Sequence, residues 1–288
     1  IYMEDLELQK YLDTPLGPQA QGMYDPSFDK DSCGVGFVVD TRGVKSRKIV
    51  ELGLKSMCNL EHRGAVGADP RTGDGAGIMI QIPDAFFRRV TKEIGIKLPA
   101  AGRYAVPFIY LPTNVNVRKA LENIIEKVTV DEGCKFLGWR DVPINPEVAG
   151  EGARLTMPYF RQCFIEAPPE IKESYDFERK LYLIRRVIDR RVRAEYKLDR
   201  SKYYVPSFSS RTIAYKGMLL GYQLENFYPD LQAKDMESAL ALHHTRFSTN
   251  TFPTWDLAHP YRQIAHNGEI NTLRGNMNWM AARQMVME

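Results

Sequence analysis

Short apolar runs rich in β-branched and aromatic residues recur along the chain in blocks, and helical patterns fall between the blocks rather than after every run. "CGVGFVVD" (33–40), "IMIQIP" (78–83) and "RYAVPFIYLP" (103–112) read as strands, as do 134–142, 157–166, 203–209, 211–216, 239–248 and 262–267. Helical spacing marks 46–62, 115–130, 175–197 and the stretch from Asn271 onward. Strict strand–helix alternation would build a doubly wound parallel sheet, whereas blocks favour a layered α+β fold. One residue stands out in this pattern. Cys33 opens the first apolar run behind residues 1–32, which carry Pro15, Gly17, Pro18, Gly22 and Pro26, show little apolar periodicity and read as an extended leader. An isolated cysteine is by default a small buried apolar residue. At a leader–strand junction it has a second reading, a nucleophile that becomes an N-terminus.

Composition narrows the function classes. The 288 residues suffice for one large domain or two ordinary ones. With Lys+Arg 39 and Asp+Glu 36, the net charge of +3 is too balanced to argue for a nucleic acid or an anionic membrane. No apolar run approaches the length that spans a bilayer, and the start lacks a signal-peptide core. Cys33, Cys58, Cys134 and Cys163 are scattered without a CxxC pair, so a metal site or iron–sulfur ligation within the chain is not expected, and a cytoplasmic location fits. The many arginines of 175–197 read as the solvated face of an amphipathic helix.

Four stretches could carry chemistry: "CGVGF" (33–37), "EHRGAVGADPRTGDGAG" (61–77), "HHTRFSTNTFPTW" (243–255) and "AHNGEINTLRGN" (265–276). Each is weak alone. "TGDGAG" resembles a phosphate loop, but a strand follows it instead of a helix N-terminus. His243 and His244 are adjacent, so on a strand they face opposite sides and packing is their default role. "HNG" on its own is an Asn-Gly turn signal.

Together, in this order, the four stretches resemble the glutaminase domain of glutamate synthase large subunits. "FERKLYLIRR" (177–186) and "SFSSRTIAYKGML" (207–219) also resemble that family, and the resemblance runs from about residue 21 to the end. These domains are class II glutamine amidotransferases with the N-terminal nucleophile (Ntn) hydrolase fold. The resemblance therefore implies an α+β, four-layer αββα sandwich over 33–288, preceded by a propeptide, 1–32.

The implied reaction is hydrolysis of L-glutamine to glutamate and ammonia, the ammonia then converting 2-oxoglutarate to a second glutamate. The nucleophile maps to Cys33. The base is its own α-amine, whose ordinary pKa of about 8 suits proton transfer at neutral pH. Asn267 and the backbone N–H of Gly268 map to the oxyanion hole. Arg246 maps to the arginine that grips the α-carboxylate with a planar fork. Arg63 maps to a second arginine near the nucleophile, organising that end of the site; a buried structural arginine is the alternative reading. The hydroxyls of Thr245, Ser248 and Thr249 stand nearby without assigned roles.

The resemblance further implies cleavage between Ser32 and Cys33, because an amide nitrogen cannot act as the base. The chain with 1–32 attached is expected to be inactive. No cofactor is expected in this chain, with FMN and an iron–sulfur cluster implied for absent parts of the full enzyme. The expected partners are glutamine, the synthase domains of the same polypeptide and a small NADPH-oxidising subunit. The family's acidic residue for the substrate amine is expected beyond Glu288. A plastid location fits less well than the cytoplasm. Alternatives are another class II amidotransferase serving purine or amino-sugar synthesis, and an inactive precursor or fragment. A papain-like pair of Cys33 and His266 is disfavoured, because such a cysteine starts a helix. The geometry expected of the leading reading is a buried central strand beginning at Cys33, with its sulfur near Asn267 and Gly268.

Overall fold

The computed structural model describes residue 22 and residues 34–61, 66, 69–198, 202–245, 252–261 and 273–284. By its contacts the chain divides into Ile1–Ser32 and Cys33–Glu288, and every element below belongs to the second unit. Two antiparallel sheets form from strands that are scattered along the chain. The first has the order β1 (Val35–Val39), β9 (Leu240–His244), β2 (Ala76–Gln81), β8 (Thr212–Gly217). The second runs β3 (Tyr104–Ala105), β6 (Tyr159–Glu166), β4 (Phe108–Leu111), β7 (Tyr204–Ser207), with β5 (Lys135–Asp141) also paired to β6.

Period-two alternation in the second sheet separates two cores. Phe108, Tyr110, Phe160 and Phe164 enter one core, while Ile109, Leu111, Cys163 and Ile165 enter the other. The first core is shared with Ile78, Ile80, Ile213 and Tyr215 of the first sheet. It also takes α1 (Arg47–Asn59), which lies against β1 and β9, and α2 (Asp84–Glu93). The second core is closed by α3 (Val115–Asp131) and α5 (Ser174–Tyr196). The α5 stripe Phe177, Leu181, Ile184, Ile188 and Val192 repeats every three or four residues and is buried. On its other side, Arg179 and Arg186 are well exposed, as the solvated-face reading expects. Asn114 caps α3, its side-chain oxygen accepting from the backbone N–H of Asn116 at 3.0 Å and Val117 at 3.2 Å. One charged pair sits inside the first core. Arg140 grips Asp230 with two hydrogen bonds of 2.8 and 2.7 Å, and Gln162 and Tyr215 occupy the remaining polar sites. The result is the α+β, two-sheet architecture expected of the family.

Several elements differ from the sequence reading. Residues 103–112 form two short strands instead of one, because Pro107 has no N–H to donate to a ladder. The helix α2 and the short helices α4 (Glu151–Leu155) and α6 (Leu224–Phe227) go beyond it. The first apolar run is neither central nor fully buried. Among the described residues β1 is an edge strand paired only with β9, and Phe37 is 66% exposed. The strand predicted over 262–267 lies outside the described residues.

Candidate active site

The antiparallel ladder between β1 and β9 pairs Val35 with His244 and Gly36 with His243. It is continued by a backbone hydrogen bond of 2.9 Å from the Thr245 N–H to the Gly34 carbonyl. Gly34 follows Cys33 in sequence, and Thr245 precedes Arg246. Two segments that are far apart in sequence therefore meet at the ends where the predicted nucleophile and the predicted carboxylate clamp begin. Cys33 itself, with Ser32, Arg63, Arg246, His266, Asn267 and Gly268, lies outside the described residues. Thr245 Oγ1 is buried and has no hydrogen-bond partner among the described residues.

The two histidines face opposite sides of β9, and each has a packing partner. His243 lies on the face of α1, with its Nε2 3.0 Å from Ser56 Oγ. Burial pushes its imidazole down to about 4, so it stays neutral near pH 7. Gly36 is required beside it, because a Cβ there would lie 2.5 Å from His243 Nε2. On the other face, His244 shares a row with Val35, Gly77 and Lys216, which stand directly opposite one another across four strands. The His244 ring lies 4.6 Å from the ring of His259.

The segment 252–261 lies over this second face. A Cβ at Gly77 would sit 2.3 Å from the His259 carbonyl oxygen, so a glycine is needed for the backbone to approach. Trp255 anchors the segment, donating its indole N–H to the Ala153 carbonyl at 3.0 Å and packing against Phe160 and Phe227. Lys216, fully buried, donates to the carbonyl of Asp256 at 2.9 Å, to the carbonyl of Ala258 and to the Tyr204 hydroxyl at 3.3 Å. In the sequence, "YKG" enters only through the resemblance. The signal was there: a lysine inside the otherwise apolar run "TIAYKGM" needs an internal reason.

Burial disfavours the thiolate form of the three described cysteines. Burial pushes the Cys134 thiol up to about 11 and raises Cys163 well above its ordinary range, and Cys58 is also raised, chiefly by burial. Among the described residues, no group of His, Cys, Asp and Glu is arranged to hold a metal ion. No described helix is long and apolar enough to cross a membrane.

The model for Glutamine amidotransferases class-II matches residues 33–288. The chain is 49% identical over 267 residues to the glutamate synthase [NADPH] large chain of Bacillus subtilis, a match covering 93% of this chain and 17% of that protein. It is 44% identical over 266 residues to the glutamate synthase [NADPH] large chain of Azospirillum brasilense, covering 92% of this chain and 17% of that one. It is 40% identical over 269 residues to the ferredoxin-dependent glutamate synthase 2 of Arabidopsis thaliana, covering 93% and 16%. The chain belongs to the class II glutamine amidotransferases. It spans about a sixth of the length of these relatives.

Proposed function

We propose that residues 33–288 carry the glutaminase half-reaction of a glutamate synthase, with Cys33 as an N-terminal nucleophile. The observation that supports this is the ladder end at Gly34 and Thr245, one residue from Cys33 and one from Arg246. Cleavage after Ser32 converts the Cys33 amide to an amine. The amine takes the thiol proton, and the thiolate attacks the side-chain carbonyl carbon of glutamine. Asn267 and the Gly268 N–H receive the developing oxyanion, while Arg246 holds the α-carboxylate. The amine returns its proton to the leaving nitrogen and ammonia departs. Water then hydrolyses the thioester, giving glutamate and regenerating the thiol. Arg63 organises the nucleophile end.

In the whole polypeptide the ammonia is consumed by synthase domains, where reduction of the imine formed with 2-oxoglutarate yields a second glutamate. FMN, an iron–sulfur cluster and a small NADPH-oxidising subunit are assigned to that half, and no step above passes through them. The cytoplasm is the proposed location. The proposal is tested by measuring ammonia release from glutamine in the full-length polypeptide, with Cys33 and with Cys33→Ser. Loss of release in the variant, with ammonia-dependent glutamate formation kept, is expected. Equal release by both would overturn it.

A further inference from the structure

The 252–261 segment is held by an unusual device. An ammonium has three donors and no acceptor, and Lys216 Nζ meets three oxygens: Tyr204 Oη, Asp256 O and Ala258 O. The rings of Tyr204 and Tyr261 lie 4.6 and 4.8 Å from it. Among the described residues no carboxylate pairs with it directly. Among the described residues, the charged and titratable groups near it include Tyr204 from β7, Asp256, His259 and Tyr261 from the segment, His244 from β9, and Arg185 from α5, whose like charge acts on it through space, while the hydroxyls of Tyr110 and Tyr228 donate to its backbone carbonyl. Burial pushes Lys216 down to about 7, with Asp256 opposing that shift and Arg185 adding to it. Burying a cation costs several kcal/mol unless its donors are satisfied. An apolar residue would avoid that cost, but it would leave two loop carbonyls without this donor.

The placement gives the grip a purpose. Lys216 stands at one end of a row whose other members are Gly77, His244 and Val35, and the segment crosses it over Gly77 to meet the His244 ring. His244 precedes Thr245, the ladder end of the proposed site, and six residues separate Tyr261 from Gly268. We propose that Lys216 is a positioning residue for glutamine hydrolysis, its ammonium fixing the 252–261 segment across the sheet so that the chain toward Asn267–Gly268 leaves from a set point beside the chain toward Arg246. This rests on the glutaminase reading above.

The test uses the processed full-length polypeptide, wild type and Lys216→Met, and a diazoketone analogue of glutamine. The Cys33 α-ammonium returns its proton to the diazo carbon of the analogue and the thiolate forms a C–S bond to that carbon as N2 leaves, which counts the competent sites. Turnover is then expressed per counted site, because a residue needed only for stability changes the count and not the rate per site. The expected result is a fall in kcat per counted site of at least about tenfold in Lys216→Met, since misplacement by ~1 Å can cost a hundredfold. Ammonia-dependent glutamate formation should be unchanged. Fewer sites with an unchanged rate per site would overturn the inference while leaving the glutaminase reading intact. A wild type that neither alkylates at Cys33 nor releases ammonia would overturn both. If Lys216→Met does not fold, Tyr204→Phe removes one acceptor and keeps the ring. It should lower kcat per site about two- to fivefold, and an unchanged rate there would overturn the inference.

Discussion

Replacing Gly36 by alanine places one methyl group against a buried ring. The new Cβ would lie 2.5 Å from His243 Nε2, well inside van der Waals contact, and 2.6 Å from the neighbouring ring carbon. The ring has little freedom to yield, because His243 is fully buried and tied to Ser56 at 3.0 Å. Overpacking of this kind costs about 1–3 kcal/mol. If the ring swings aside it also gives up the Ser56 bond, a further loss of about 1 kcal/mol. The total, about 2–4 kcal/mol, corresponds to a fall in Tm of roughly 4–16 °C at ~2–4 °C per kcal/mol for a domain of this size. Urea unfolding of the wild type, Gly36→Ala, His243→Ala and the double variant measures it as a thermodynamic cycle. In the His243→Ala background the alanine at position 36 should cost under about 0.5 kcal/mol, because its clash partner is gone and glycine-to-alanine changes otherwise tend to restrict the unfolded chain. An equal cost in both backgrounds would refute the account of why this strand has glycine at that position.

Arg246→Lys should lower kcat/KM for glutamine by about 30- to 1000-fold, the effect of losing roughly 2–4 kcal/mol when a planar fork becomes a point charge, while ammonia-dependent synthesis by the full polypeptide survives. A parallel loss of both activities would make Arg246 a folding residue. The folded-state value of Lys216, about 7, lies below its unfolded value, so between about pH 7 and 10.4 the folded chain binds fewer protons than the unfolded one. Over that window the stability of the wild type relative to Lys216→Met should rise with pH in denaturant titrations, and a difference independent of pH would contradict the downward shift that burial imposes on Lys216. With their thiols shifted upward by burial, Cys134 and Cys163 should resist iodoacetamide at about pH 7.5 in the folded chain. Rapid modification of either, read by peptide mass, would contradict their burial.

The parts legible from sequence were those set by local periodicity. The stripe of α5 and the alternation of β6 depend on residues a few positions apart, so helix and strand show in the spacing itself. The position of a strand within its sheet does not. β1 reads as a buried run, yet its partner β9 begins some 200 residues later, and nothing near residue 35 says that no second neighbour follows among the described strands. The helix α2 was missed because Phe86, Phe87 and Val90 alone carry most of its apolar face in a short element entered from Pro83. The proposed nucleophile and its proposed companions are legible only as motifs in a fixed order. That Gly34 and Thr245, the neighbours of Cys33 and Arg246 in sequence, are hydrogen-bonded is a matter of register, which the sequence does not print. Lys216 shows in the sequence only as a lysine in an apolar run; its partners, two backbone carbonyls 40 and 42 residues away, are set by the fold.

The central claim is that Cys33 acts only once it is an N-terminus. Intact-mass and peptide mass spectrometry after exposure to the diazoketone glutamine analogue tests this directly, on full-length polypeptide beginning at Cys33 and on the same polypeptide retaining Ser32. The account predicts one adduct, on Cys33, in the form that begins there, and none in the form that retains Ser32. An adduct on Cys33 still joined to Ser32, at a comparable rate, would contradict it, as would an adduct on Cys58, Cys134 or Cys163 in place of Cys33.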